Sequence, residues 1–67
     1  MRISYNKLWK MLIDKNMKKS DLKEKAGISS ASLAKLGKGD NITTDVLLRI
    51  CEAMDCQIED ILETVRD

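Results

Sequence analysis

Apolar positions along the chain recur at three- and four-residue spacings, the period of an amphipathic helix. Leu8, Met11 and Leu12 make one stripe, extended to Lys15, and predict helix 1 over Tyr5–Lys15. Trp9 and Ile13 flank that stripe. Asn16 suits a left-handed C-terminal cap, after which Met17 drops back into the core. Leu22 and Ala26 are the inward positions of helix 2, over Lys19–Lys25, and Gly27 ends it. Helix 3 begins after Ser29, a good N-cap, with Leu33 and Leu36 facing inward over Ile28. Its outer face then carries Ser30, Ala31, Ala34, Lys35 and Lys38. A loop with two glycines follows over Gly37–Ile42, and helix 4 starts at a cap on Thr43 or Thr44. Val46, Leu47, Ile50, Cys51 and Met54 give helix 4 an apolar face wide enough to centre the core. Ile58, Ile61, Leu62 and Val65 predict helix 5 over Ile58–Thr64, with Glu59 and Asp60 favourably placed in its first turn. The expectation is an all-α, compact five-helix fold in one domain over residues 1–67.

Composition agrees with that picture. The 67 residues contain no proline and three glycines, and 43% are hydrophobic. A chain this short buries only about 60% of the surface that its unfolded form exposes, so its core is small. The net charge of +1 hides a division. Residues 1–38 carry ten Lys/Arg against three acids, a balance of +7. Residues 39–67 carry two against eight, a balance of −6. A basic half attracts polyanions, of which nucleic acid is the common one. Charge alone leaves open the plainer alternative, in which two solvated halves attract each other.

Several classes of chemistry lack their residues. There is no histidine, and Cys51 and Cys56 form no CxxC pair, so no metal site is expected. No activated nucleophile pair or glycine-rich phosphate loop is visible, and a small core leaves little room for a pocket. The expectation is therefore not an enzyme, with no cofactor and no small-molecule ligand. Met11, Cys51 and Met54 read as core by their period, and Trp9 as partial core or a subunit contact. Met1–Tyr5 does not lead into a signal-type apolar run, and no stretch approaches a membrane span. The expected location is the cytoplasm.

Two short helices joined by a glycine turn are the signature of a helix-turn-helix. The second helix is held from below by Ile28, Leu33 and Leu36, and its outer face projects. A projecting helix fits the major groove of B-DNA, and cations beside it reach phosphates. The stretch "KKSDLKEKAGISSASLAKLGKGDNITTDVLLRICEAMDCQIEDIL" resembles the phage-repressor and Cro type of helix-turn-helix, the XRE family. Leu22, the turn glycine Gly27, and Ile28 with Ser29 match its pattern, as do Leu33, Leu36, Gly39 and Asn41. "LLRICEAM" resembles the family's "LLxIxxAL", and "IEDIL" its closing helix. The sequence departs from the pattern at Lys18, where a helix-2 cap is usually Ser, Thr or Asn. It departs again at Lys23, usually small, and at Gly37, often a glutamate.

The resemblance implies a lambda-repressor-like domain that binds double-stranded DNA through helix 3, usually as a homodimer on a palindromic site. It places Ser30 and Ala31 against base edges, and Lys35 against a base or a phosphate. It places Lys18, Lys19, Ser32, Lys38, Asn41 and Thr43 along the phosphate backbone. Helix 5, Val65 and Trp9 are the expected subunit contact. The alternative is a protein-interaction module on the same fold, an antitoxin or adaptor with weak operator binding. The sparse recognition face favours that alternative.

Overall fold

A computed structural model describes residues 1–66; Asp67, the last of the eight acids in the C-terminal half, lies outside the described residues. The order of elements is β1 (Arg2–Ser4), α1 (Asn6–Asp14), α2 (Lys19–Ala26), α3 (Ser30–Lys38) and α4 (Thr44–Met54). A single 3₁₀ turn (Ile58–Asp60) and β2 (Glu63–Val65) complete it. β1 and β2 pair antiparallel, with Arg2 opposite Val65, Ile3 opposite Thr64 and Ser4 opposite Glu63.

The helices end where their residues dictate. The Asn16 backbone is left-handed at φ 56°, and the Met17 N–H returns to the Leu12 carbonyl at 2.8 Å. Gly27 and Gly39 close α2 and α3 in the same left-handed region. The Ser29 hydroxyl accepts from the Ser32 N–H at 3.1 Å, and Thr43 Oγ1 from the Val46 N–H at 3.3 Å, so both serve as N-caps. Lys18 has no acceptor to offer at the start of α2. Instead the Asp21 carboxylate reaches back and accepts from the Lys18 N–H at 2.9 Å. That acid also sits favourably against the positive end of the helix dipole.

The core runs through Tyr5, Leu8, Leu12, Leu22, Ala26, Ile28, Leu36, Leu47, Ile50, Met54 and Ile61. α2 packs mainly on α4, which lies at the centre as its wide apolar face predicts. Met11, Trp9, Met17, Val46 and Cys51 are half-buried against this cluster.

Five expectations need correction. The loop expected from Gly37 starts two residues later, because Gly37 and Lys38 complete α3 and Gly39 is its left-handed cap. Among the described residues the fold has four α-helices, not five, and is mostly helical rather than all-α. Where helix 5 is predicted, the Gln57 N–H donates to the Asp60 carboxylate at 2.9 Å and closes the 3₁₀ turn, after which the chain extends. Only Ile61 of that apolar set is fully buried. Thr64 and Val65 are β-branched and extend well, and their partner is a strand at the other end of the chain. A local period cannot register so distant a partner. Lys15, the C-cap of α1, is exposed, as its ammonium requires. Leu33 is only half-buried and lies outside the core cluster, which leaves Leu36 as the buried residue of α3.

Candidate nucleic-acid interface

The short segment Gly27–Ser29 carries the chain from α2 into α3. Gly27 turns it at φ 66°, Ile28 anchors it in the core, and Ser29 caps the next helix. α3 is thereby set on the surface with its first turn outward. Ser30 and Ala31 are exposed there, as is Lys35 one turn further on. No acid stands in the first turn of α3, and Lys35 and Lys38 fall in its last.

An open groove of about 300 Å³ runs between α3 and the start of α4. Ser32, Lys35, Asn41 and Thr43 line it, with Ile42 and Val46 as its floor. Four of the residues expected to meet DNA thus converge in one place. Ser32 is half-buried, and its Oγ accepts from the Ser29 hydroxyl at 3.1 Å. Lys38 lies apart from them, in a second hollow of about 200 Å³ shared with Gly37, Gly39 and the β1 residues Arg2, Ile3 and Ser4. Lys18 and Lys19 stand at the exposed start of α2. The Lys19 ammonium sits 4.5 Å over the centre of the Trp9 ring. Such a contact is worth roughly 0.5–1 kcal/mol at an exposed site and holds the cation in place without neutralising it.

Two residues that bear on this interface escape the sequence reading. Tyr5 reads there only as the first residue of helix 1. Its ring is buried, and its hydroxyl donates to the Asp40 carbonyl at 2.9 Å, just beyond α3. Burial first, and then the Asp40 charge, push the phenol pKa up. Arg49 is the second. Its Nε pairs with Asp45 Oδ2 at 3.0 Å, and its Nη1 donates to the Gly27 carbonyl at 3.2 Å. The i, i+4 spacing of Asp45 and Arg49 announces the ion pair. Nothing local announces the carbonyl in the turn.

Residues 7–67 match the Cro/C1-type helix-turn-helix DNA-binding domain. The chain belongs to that family. Its fold also superposes on the crystal structure of the transcriptional regulator VanUg with a TM-score of 0.94. The two are 52% identical, over 98% of this chain and 88% of that one. The chain is 42% identical over 55 residues to the uncharacterised HTH-type transcriptional regulator YozG of Bacillus subtilis (strain 168). That match covers 79% of this chain and 66% of YozG, just under two thirds of the relative's length. In this Cro/C1-type domain, α2 and α3 are two short helices joined by the Gly27–Ser29 turn.

Among the described residues no helix is long and apolar enough to cross a membrane. Cys51 and Cys56 are free thiols, both half-buried, at the end of α4.

Proposed function

We propose that the chain is a sequence-specific transcriptional regulator, a single domain over residues 1–67 that acts in the cytoplasm. It lays α3 in the major groove of double-stranded DNA. Ser30 and Ala31 face base edges, and Lys35 reaches a base or a phosphate. Lys18, Lys19, Ser32, Lys38, Asn41 and Thr43 follow the backbone. The observation that carries this reading is the convergence of Ser32, Lys35, Asn41 and Thr43 along one groove beside the exposed first turn of α3. Most protein–DNA hydrogen bonds go to phosphate and sugar, and a surface rich in lysine and small hydroxyls suits that role. A single module covers only roughly 600–1,000 Å² of protein surface on DNA. The chain therefore binds as a homodimer, whose two-fold axis matches a palindromic site.

Selection of bound sequences from random duplex DNA tests the reading, and enrichment of a palindromic consensus is expected. Lys18, Lys19 and Lys38 of each subunit make six charged phosphate contacts in the dimer, which give a slope of about −5 for log K against log salt. No duplex affinity at low salt would overturn it. Sedimentation with and without the selected duplex tests the dimer.

A second reading, a protein-interaction module on the same fold, has one observation in its favour. Ile13 is 76% exposed and Leu48 53% exposed, and neither lies at the recognition helix. Absence of any enriched sequence, together with a stable partner complex that masks Lys35, would support it.

A further inference from the structure

The recognition helix is poorly anchored by its own side chains. Leu36 is its buried residue, Leu33 is half-buried, and Gly37 lowers the helix propensity of its last turn. Hydrogen bonds from other elements bracket it instead. Before α3, the Arg49 guanidinium on α4 donates to the Gly27 carbonyl in the turn. After α3, the Tyr5 hydroxyl donates to the Asp40 carbonyl. We infer that Tyr5 and Arg49 are positioning residues that fix the angle of α3 for reading DNA. The inference rests on the proposed docking of α3 in the major groove.

The two tethers are built differently. The Tyr5 ring is buried against the core, so its hydroxyl is a fixed point. It ties the segment after α3 to the start of α1. Arg49 is exposed, but Asp45 holds its Nε from one turn earlier on α4. That ion pair adds little stability of its own at the surface. It orients the guanidinium fork so that a second N–H meets the Gly27 carbonyl. α4 is central to the core, and its rigidity is passed to the turn.

The consequence for binding is selective. Contacts to base edges need α3 at one pitch and one depth. Non-specific attraction to phosphates tolerates a range of angles. A helix that samples several angles binds its operator more weakly, in proportion to the fraction of time spent at the competent one. Its affinity for unrelated DNA changes little. Neither Tyr5 nor Arg49 needs to touch DNA for this effect.

The test uses Tyr5→Phe, which keeps the ring and removes the hydroxyl, and Arg49→Met, which keeps the stem and removes the fork. Each hydrogen bond has a net worth equivalent to a factor of roughly 2–13 in an equilibrium constant. Each variant is expected to lose about 3- to 10-fold in operator affinity, the double variant more, with random-duplex affinity held within about 2-fold. The salt slope is expected to stay unchanged, because no phosphate contact is removed. Without DNA, amide hydrogen exchange is expected to speed up in α3 of the double variant and to hold in α4. A slope reduced by about 1 per subunit in Arg49→Met would make Arg49 a phosphate contact and overturn its positioning role. Unchanged operator-to-random ratios and unchanged α3 exchange would overturn the inference as a whole. Lys35→Ala is the control that separates the two levels. If it weakens operator binding while the tether variants do not, the docking stands and the positioning role falls. If the unmutated chain prefers no sequence, the docking itself falls and the role in DNA reading falls with it.

Discussion

Three glycines with equally open surroundings should respond to alanine in opposite directions. A Cβ built on Gly27, Gly37 or Gly39 would meet no atom within 4 Å, so none of the three is required by crowding. Backbone conformation separates them. Gly37 lies inside α3 with helical backbone, and there alanine gains about 0.5–1 kcal/mol over glycine, from lower unfolded-state entropy and better helix propensity. For a domain of this size, 1 kcal/mol moves Tm by roughly 4–8 °C, so Gly37→Ala should raise Tm by about 2–8 °C. Gly27 and Gly39 sit at φ 66° and 75°, where a Cβ crowds its own carbonyl and costs about 1–2 kcal/mol. Gly27→Ala and Gly39→Ala should therefore lower Tm by at least as much as Gly37→Ala raises it. Thermal and urea unfolding followed by far-UV circular dichroism, with all four proteins in one buffer, gives the signs directly. A fall for Gly37→Ala, or one sign for all three, would refute the assignment of α3 as a continuous helix between two left-handed caps.

Other expected outcomes follow from single side chains. Lys35→Ala should reduce the salt slope of the homodimer by about 2, about 1 per subunit, if the amine meets a phosphate, or relax preference at one base position of each half-site and cost about 1–3 kcal/mol per half-site if it meets a base; unchanged affinity and unchanged preference would refute any role in DNA binding. Ser29→Ala removes the cap of α3 and should cost about 1 kcal/mol in urea unfolding, while Ser30→Ala, on the exposed first turn, should cost little. The Cys56 thiol is pushed up to about 11, first by burial and then by Cys51 beside it. The folded state thus favours the neutral thiol. The stability that this contributes is complete below about pH 9 and is lost as pH climbs towards 11. The urea midpoint should fall across that window, less so in Cys56→Ala, and iodoacetamide should label Cys56 slowly at pH 8.

The helical parts were legible because their signals are local. Leu8 with Leu12, Leu22 with Ala26, and Leu47 with Ile50 and Met54 repeat at helical spacing, and Ser29, Thr43 and Gly27 mark the ends within a residue or two. The exposure of the candidate site residues Ser30, Ala31 and Lys35 was legible for the same reason, since it comes from the helix that carries them. The misses share a different cause. β2 depends on β1, Tyr5 on Asp40 and Arg49 on Gly27, each pair far apart in sequence. Leu33 has the right period but lies at the margin of the core, where period no longer predicts depth.

Under the proposed docking, the small residues on the reading edge make these distant contacts matter more. Serine bonds to more than one base, and alanine offers a methyl-sized contact to thymine. Ser30 and Ala31 therefore discriminate weakly by themselves. Under the proposed docking, selectivity has to come from DNA shape and from half-site spacing in a dimer. Both depend on where α3 is held, and an angular error is multiplied when two recognition helices must fit at once. A long arginine or glutamine side chain at the edge would adapt to such an error, whereas serine and alanine are too short to do so. A plain recognition face thus needs a well-placed helix. Gly37 and the half-buried Leu33 weaken the placement that α3 provides for itself, and Tyr5 and Arg49 replace it from outside. Gly37→Ala, by stiffening α3 from within, should then recover part of the operator affinity lost in Tyr5→Phe and none of that lost in Lys35→Ala.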